Sequence, residues 1–408
     1  MNDNSLCRPR VLVMTSTFPR WENDPEPAFV LELSRRLGTA FDITVLAPRS
    51  PGSKRRETMA GLRVIRFPYF FRRWENLATH GGGILNRLHT NPLNYLLVPL
   101  FMAGQLWALI RLLRRERFSL IHAHWLIPQG LVAALGRIVA RRRIPLLCTS
   151  HGGDLFALRG TAFQFLKRWI MGRSQALTVV SRAMQSTVSA MGVAPEKVQV
   201  ISMGVDLQYR FTPDPKVERS ANELLFVGRL VEVKGLHVLL EAIPKVLAKH
   251  PDTRLTIAGA GPMEVELREQ AGRLHISNRI DFLGMVNQLE LPALYRRATM
   301  AVFPFIMTKS GVQEGFGLVV VEAMGCGCPV IAGDLPAIHD TVTDGENGLL
   351  FPPGNPEALS DTILKTIDDP ALCRNLAKEG RKRALEQFDW EIIAEKYAEL
   401  YKKMIRTV

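Results

Sequence analysis

Two glutamates and two cations carry the clearest chemistry in the chain. Residues 314–322, EGFGLVVVE, place Gly315 and Gly317 ahead of an apolar run that ends in Glu322 and Ala323. This pattern predicts a loop turning into a buried helix. Bare amides and the positive end of the dipole at its N-terminus would make an anion site, and the glycines would let a ligand approach the backbone closely. Phosphate is the natural guest. Glu322 falls on a face of Val, Ala and Met, where an unpaired carboxylate is expensive. Its partners are ribose or sugar hydroxyls on the functional reading and neighbouring protein groups on the structural one. Residues 227–235, VGRLVEVKG, set Arg229 and Lys234 in a loop between a strand and a helix starting near Gly235, where two cations grip a diphosphate. Either cation alone would be an ordinary surface charge; their coincidence with the glutamates favours a site. His151 follows the apolar run 146–150, and Gly152, Gly153 and Asp154 beside it suggest an exposed loop. His122 and His124 share one face of a strand, but no third metal ligand is evident and a structural role is favoured.

The elements that must position these residues recur in a regular series. Short apolar runs at 11–16, 43–46, 64–67, 120–123, 146–150, 177–180 and 198–202 alternate with helical patterns, and a second series follows at 224–227, 255–258, 280–283, 300–303, 330–332 and 349–351. Such runs are parallel strands covered on both faces. The expected fold class is therefore α/β, with two Rossmann-like doubly wound sheets facing a cleft. Residues 208–222, rich in Pro and charge, read as a linker. The division is 1–207, joined by a closing helix 390–408, and 208–389. Ligands of such sheets bind at the carboxyl ends of the strands, which places the site in the cleft.

The 408-residue chain has 47% hydrophobic and 22% charged residues, a globular composition that excludes disorder and a collagen-like repeat. Its net charge of +13 is unevenly spread: residues 1–208 hold 28 Lys and Arg against 12 Asp and Glu, and the rest hold 24 against 27. The basic half should meet an anionic surface or substrate. It lacks a recognition helix or aromatic stacking signature, so a nucleic-acid partner is not expected. The cysteines (Cys7, Cys148, Cys326, Cys328, Cys373) are odd in number and lack zinc or redox spacing, and residues 1–9 lack a signal-peptide core. A cytoplasmic protein with packed thiols is the expectation.

Taken together, GRLVEVKG, AGAGP (258–262), FLGMV (282–286), EGFGLVVVE, PVIAGD and NGLLF resemble the donor domain of the family 4 retaining glycosyltransferases, which have the GT-B fold. IHAHW (121–125), SHGGD (150–154) and MGVD (203–206) extend the resemblance over nearly the full length. It implies that Gly228, Arg229 and Lys234 meet the donor diphosphate, and that the two cations offset charge on the leaving group without a metal. It further implies that Glu314, Gly315 and the amides of Phe316, Gly317 and Leu318 hold sugar hydroxyls and phosphate, that Glu322 holds the ribose, and that Gly259, Gly261, Met285 and Val286 flank the base. His151 would contact the donor sugar. No cofactor is implied beyond the nucleotide-diphosphate sugar co-substrate, a UDP-sugar or GDP-sugar. The acceptor would be a hydroxyl of a lipid-linked or growing glycan. On that side the chain departs from the family: residues 16–30 lack the usual Gly-Gly pair, leaving Phe18, Arg20, Asp24, His124 and Asp154 as candidates. The rivals are a sugar-nucleotide epimerase, which needs a cleft-facing acid and base pair, and a non-enzymatic binding module, against which the intact Arg229, Lys234, Glu314 and Glu322 weigh.

Residues 92–110 carry no formal charge, and as a helix they extend about 29 Å at 1.5 Å per residue. Asn94, Pro99 and Gln105 interrupt them, and a strand follows within ten residues. A helix lying on an anionic membrane surface, flanked by Arg72, Arg73, Arg87, Arg111, Arg114 and Arg115, fits better than a span, and a hairpin covering the sheet is the plainer alternative. The first reading places the protein peripherally on the inner face of the plasma membrane.

Overall fold

The structure is a computed structural model and describes residues 8–22, 24, 28–78, 83–156, 158 and 160–407; Cys7 lies outside them. Met1–Val180, Met184–Ile201 and Ile393–Val408 form one compact unit, and Ser181–Ala183 with Ser202–Ile392 form the other. The chain changes unit after Ile201, slightly ahead of the expected division. Residues near Val205 are tied to the second unit: the Val205 amide donates to Phe388 O (2.9 Å), and the Trp390 amide donates to Val205 O (3.2 Å).

The first unit holds β1 (Arg10–Met14), β2 (Asp42–Pro48), β3 (Arg56–Met59), β4 (Leu62–Phe67), β5 (Leu120–His124), β6 (Leu146–Ser150), β7 (Ala176–Val179) and β8 (Val198–Val200). They form one sheet in the order β3-β4-β2-β1-β5-β6-β7-β8, parallel except at the β3–β4 hairpin. Every residue of β5, β6 and β7 is buried, so these strands are mainly apolar, and the polar residues they carry, among them His122, Thr149 and Thr178, are buried with hydrogen-bond partners. Sequence periodicity misses β3 because RETM is a polar edge strand. A tight turn at Ala60 and Gly61, both with positive φ, makes it. From Ile393 on, the helix Trp390–Arg406 belongs to this unit, with Tyr401 packed edge-on against Phe41.

Helix Leu97–Arg115 has the length and apolarity of a membrane span. Its stripe of Phe101, Gln105, Leu109 and Leu112 is nevertheless buried, and Phe101 meets Phe67 and Tyr69 edge to face. One face of it therefore covers the sheet, as the hairpin reading expects.

The second unit holds β9 (Glu223–Val227), β10 (Arg254–Ala258), β11 (Ile280–Gly284), β12 (Met300–Phe303), β13 (Val330–Gly333) and β14 (Leu349–Phe351). The sheet is parallel throughout, in the order β11-β10-β9-β12-β13-β14, around a core that includes Phe226, Leu239, Ile257, Val302 and Ile363. This is the doubly wound order. The winding reverses between β9 and β12, which opens a crevice beyond their carboxyl ends; β1 and β5 are the corresponding pair in the first unit. Segment 208–222 contains no helix or strand, but it packs within the second unit, where Arg219 donates to Ala298 O and Gly327 O and Arg296 to Thr212 O.

Candidate active site

Both motifs of the second unit emerge at its switch point. Arg229 and Lys234 leave β9, and the loop carrying Glu314 leaves β12 and enters helix Leu318–Gly325. The fold closes an 80-residue gap between them: Lys234 Nζ donates to Glu314 Oε2 at 2.7 Å, and it also sits 4.9 Å from the Phe305 ring centroid. Glu314 Oε1 accepts from the amides of Gly315 (3.1 Å), Phe316 (3.3 Å) and Gly317 (3.1 Å). The expectation of bare amides here is corrected, because the acid that opens the loop fills the nest its own backbone makes. Burial alone would raise the Glu314 carboxyl; the Lys234 ammonium and the loop amides outweigh it and hold the group below its ordinary range. A ligand phosphate at residues 315–317 must displace this carboxylate; Arg229 is exposed on the loop that follows β9.

Neighbouring loops lock together through their backbones. Gly228 N donates to Ala258 O, Leu230 N to Ala260 O, and Gly259 N to Gly284 O. Gly259 is required: a Cβ there would lie 1.8 Å from Gly228 O, so no other residue admits this approach. The loops bearing Gly228, Gly259, Gly261, Met285 and Val286 thus form one shelf, from which Met285 projects, 85% exposed. Phe316 is buried and meets Phe388 edge to face.

In the first unit the candidates gather at the carboxyl ends of β1, β5 and β6. His124 Nδ1 lies 3.0 Å from His151 Nε2 with the rings stacked at 13°, and Phe29 and Trp125 pack on His151 at 4.9 and 5.0 Å. Burial pushes His151 down to about 3 and His124 well below its usual value, so both rings are neutral near pH 7 and share one N–H between them. His124 Nε2 and His151 Nδ1 are buried without a hydrogen-bond partner among the described residues. His122 spends both ring nitrogens, on Tyr401 Oη and Thr149 Oγ1 at 2.6 Å each. That is the structural role expected for it, and among the described residues no group of three or more His, Cys, Asp and Glu could hold a metal.

Other acceptor-side candidates shape the site rather than face into it. Asp154 is buried, with Oδ2 accepting from Leu126 N (2.6 Å) and Oδ1 from Ser150 Oγ (2.8 Å). Arg20 and Asp24 form a buried two-pronged pair at 2.6 and 2.8 Å, and Phe18 is buried beneath Arg66. Sequence reasoning missed Phe29 and Trp125 as members of the His151 cluster. The signal for Trp125 was its place directly after a strand end; its φ of 74° is unusual for a bulky residue. Phe29 gave none.

The family model described as "Glycosyltransferase Family 4" matches residues 28–209, and that of "Glycosyl transferases group 1" matches residues 211–383. The phosphatidyl-myo-inositol mannosyltransferase of Mycobacterium leprae is 33% identical over 263 residues, 63% of this chain and 67% of that one. The chain belongs to the family 4 glycosyltransferases. The GDP-mannose-dependent alpha-(1-6)-phosphatidylinositol monomannoside mannosyltransferase of Mycolicibacterium smegmatis is 26% identical over 96% of this chain and 97% of its own. Among solved structures, the sucrose-phosphate synthase of Thermosynechococcus elongatus has a TM-score of 0.77 at 23% identity, covering 98% of this chain and 100% of that one, which establishes the GT-B fold.

Glu322 of this glycosyltransferase is 3% exposed, and its Oε2 accepts from the Tyr295 hydroxyl at 3.3 Å. Burial pushes its carboxyl from 4.5 up to about 7, with Tyr295 and the more distant Arg210 and Lys234 acting against the shift. The folded group binds its proton more tightly than the unfolded one, so stability is highest at low pH and falls as pH rises from about 4.5 to 7. That loss is about 3 kcal/mol at 1.36 kcal/mol per pH unit. Glu322→Gln should therefore be the more stable protein at pH 8 by about 2–3 kcal/mol, with the gap closing below pH 5. Urea unfolding at both pH values checks this, and an equal gap at the two would refute it.

Proposed function

We propose that this glycosyltransferase moves a sugar from a GDP-sugar or UDP-sugar to a hydroxyl of a lipid-linked or growing glycan at the cytoplasmic face of a membrane, with retention of anomeric configuration. The observation that carries the reading is the Lys234–Glu314 contact at the switch point of the second sheet, on a loop that begins with Arg229. The anomeric C–O bond to the β-phosphate breaks as the acceptor oxygen bonds the same carbon from the same face. The departing phosphate oxygen takes the acceptor's proton, and no protein nucleophile is consumed. Arg229 and Lys234 offset the charge that grows on the diphosphate, the work a divalent cation does in other transferases. On this reading Glu314 and the amides of its loop take the sugar and phosphate, Glu322 the ribose, and the 259–261 and 284–286 loops the base. The family's lipid-modifying relatives support the acceptor class.

Purified protein incubated with a panel of sugar nucleotides and lipid-linked or oligosaccharide acceptors tests the proposal. Transfer should give a product with the donor's anomeric configuration by NMR, at a rate unchanged by EDTA. Neither transfer nor donor hydrolysis across the panel would refute it, and inversion or loss of activity in EDTA would refute the corresponding part.

A further inference from the structure

We propose that His124 is a positioning residue that fixes the tautomer of His151. His124 Nδ1–H donates to His151 Nε2, so the proton of His151 stands on Nδ1, where it donates to a hydroxyl of the sugar substrate. This deepens the sugar-transfer reading above and rests on it for the identity of that hydroxyl.

Proton bookkeeping sets the alternatives. Two neutral imidazoles offer four ring nitrogens and carry two protons between them. One proton, and only one, must lie in the 3.0 Å contact between His124 Nδ1 and His151 Nε2, because two bare lone pairs or two N–H groups would repel there. The second proton then falls on the ring that accepts, at His151 Nδ1 or at His124 Nε2. Both of these nitrogens are buried without a partner among the described residues. One buried N–H is therefore left unpaired in the free protein, and its surroundings decide which.

Depth separates the two places. His124, the last residue of β5, is 1% exposed, whereas His151 keeps partial exposure in the loop after β6. The His122 ring covers His124 at 4.1 Å between centroids, and it has spent both nitrogens on Tyr401 and Thr149. The Phe29 and Trp125 rings, at 6.5 and 6.3 Å from His124, carry no acceptor either. An orphaned N–H is the rarer of the two kinds of unpaired buried group, so the deeper nitrogen should be the bare one. That leaves His124 Nε2 as a lone pair, puts the shared proton on His124 Nδ1, and gives His151 its proton at Nδ1. A substrate hydroxyl pressed against this partly exposed ring supplies the acceptor that the protein withholds.

Rigid elements hold the arrangement. His124 stands opposite Thr149 in the β5–β6 ladder, and Trp125 N donates to Thr149 O at 2.7 Å, which ties the two strand ends together just before His151. The two imidazoles lie 13° from parallel, with Phe29 and Trp125 packed on His151 at 4.9 and 5.0 Å. No carboxylate bonds either ring among the described residues, and burial keeps both neutral, so nothing draws a third proton into the pair.

The test reads the tautomer directly. Two-bond nitrogen–proton correlation spectra of the full-length protein, labelled with 15N at histidine and assigned with His151→Phe, should show His151 protonated at Nδ1 and bare at Nε2 at pH 7. His124→Leu removes the contact; it should shift His151 toward the Nε2-protonated form and lower kcat for transfer at least about tenfold, with the Kd for UDP and GDP unchanged. His124→Asn returns an amide donor to the place of Nδ1 and should restore both the tautomer and most of the lost rate. A wild-type His151 protonated at Nε2 or at both nitrogens would overturn the inference, as would His124→Leu with wild-type kcat. Leu and Asn variants impaired alike would give His124 a packing role only and overturn it as well. The spectra need no substrate, so a wild-type protein that transfers no sugar would remove the proposed activity and leave the tautomer to be decided by NMR alone.

Discussion

Alanine at Lys234 is expected to lower kcat/KM for sugar transfer by about 10³, and alanine at Arg229 by about 10², the range seen when a preorganised donor to developing charge is removed. The asymmetry comes from the contacts. Lys234 is a cation aimed at the donor diphosphate on the proposed mechanism, and it also anchors Glu314 at 2.7 Å. Without it a mostly buried carboxylate loses its charged partner in that contact, and the loop at residues 314–317 loses its tie to the loop after β9. The Glu314 carboxyl should also rise, since the Lys234 ammonium is what chiefly opposes burial there. Lys234→Arg keeps the charge but replaces a compact ammonium by a planar fork, so partial recovery is expected. Initial rates of nucleoside diphosphate release, with the donor varied at saturating acceptor, measure both variants. If either alanine variant keeps more than a third of wild-type kcat/KM, its cation is not part of the leaving-group site.

Methionine at Arg66 should destabilise the first unit by about 3–5 kcal/mol, the usual consequence of breaking a buried pair from one side. Arg66 is almost wholly buried, and burial pulls its guanidinium below the ordinary value; Glu57, at 2.9 Å, supports the charged form. It also donates to Pro19 O (2.6 Å) and Arg20 O (3.4 Å), so its loss strands one carboxylate and two carbonyls together. Those carbonyls belong to the loop that closes on the Arg20–Asp24 pair. KM for the acceptor should therefore rise along with the loss of stability, while donor hydrolysis is spared. Urea unfolding followed by a probe in the first unit reads the stability, and R66M/E57L should recover part of the loss by removing the stranded charge. A shift below 1 kcal/mol would mean that the loop does not depend on this arginine.

The parallel strands were legible because strands buried on both faces are mainly apolar. β3 was not, since an edge strand satisfies its outer groups with water and needs no apolar signature. The donor motifs were legible because each stands directly after a strand. Their chemistry depends on backbone approach and fixed charge, which require Gly, Arg, Lys and Glu by type. The acceptor side was far less readable. Arg20, Asp24 and Asp154 look like ligand contacts in a string of letters, yet their polar atoms bond to each other or to neighbouring protein groups.

Residue type and local order by themselves determined the tandem α/β architecture, the two cations after β9, the glutamate loop after β12, and membership of a glycosyltransferase family. Tertiary structure alone decided that Glu314 sits in its own amide nest, that Glu322 answers to Tyr295 from another helix, and that His151 shares a proton with His124. The reason is physical: strand and loop identity follow from short-range periodicity and backbone sterics. Which polar atom meets which depends on contacts between segments tens of residues apart, and those exist only once the sheet order has been set.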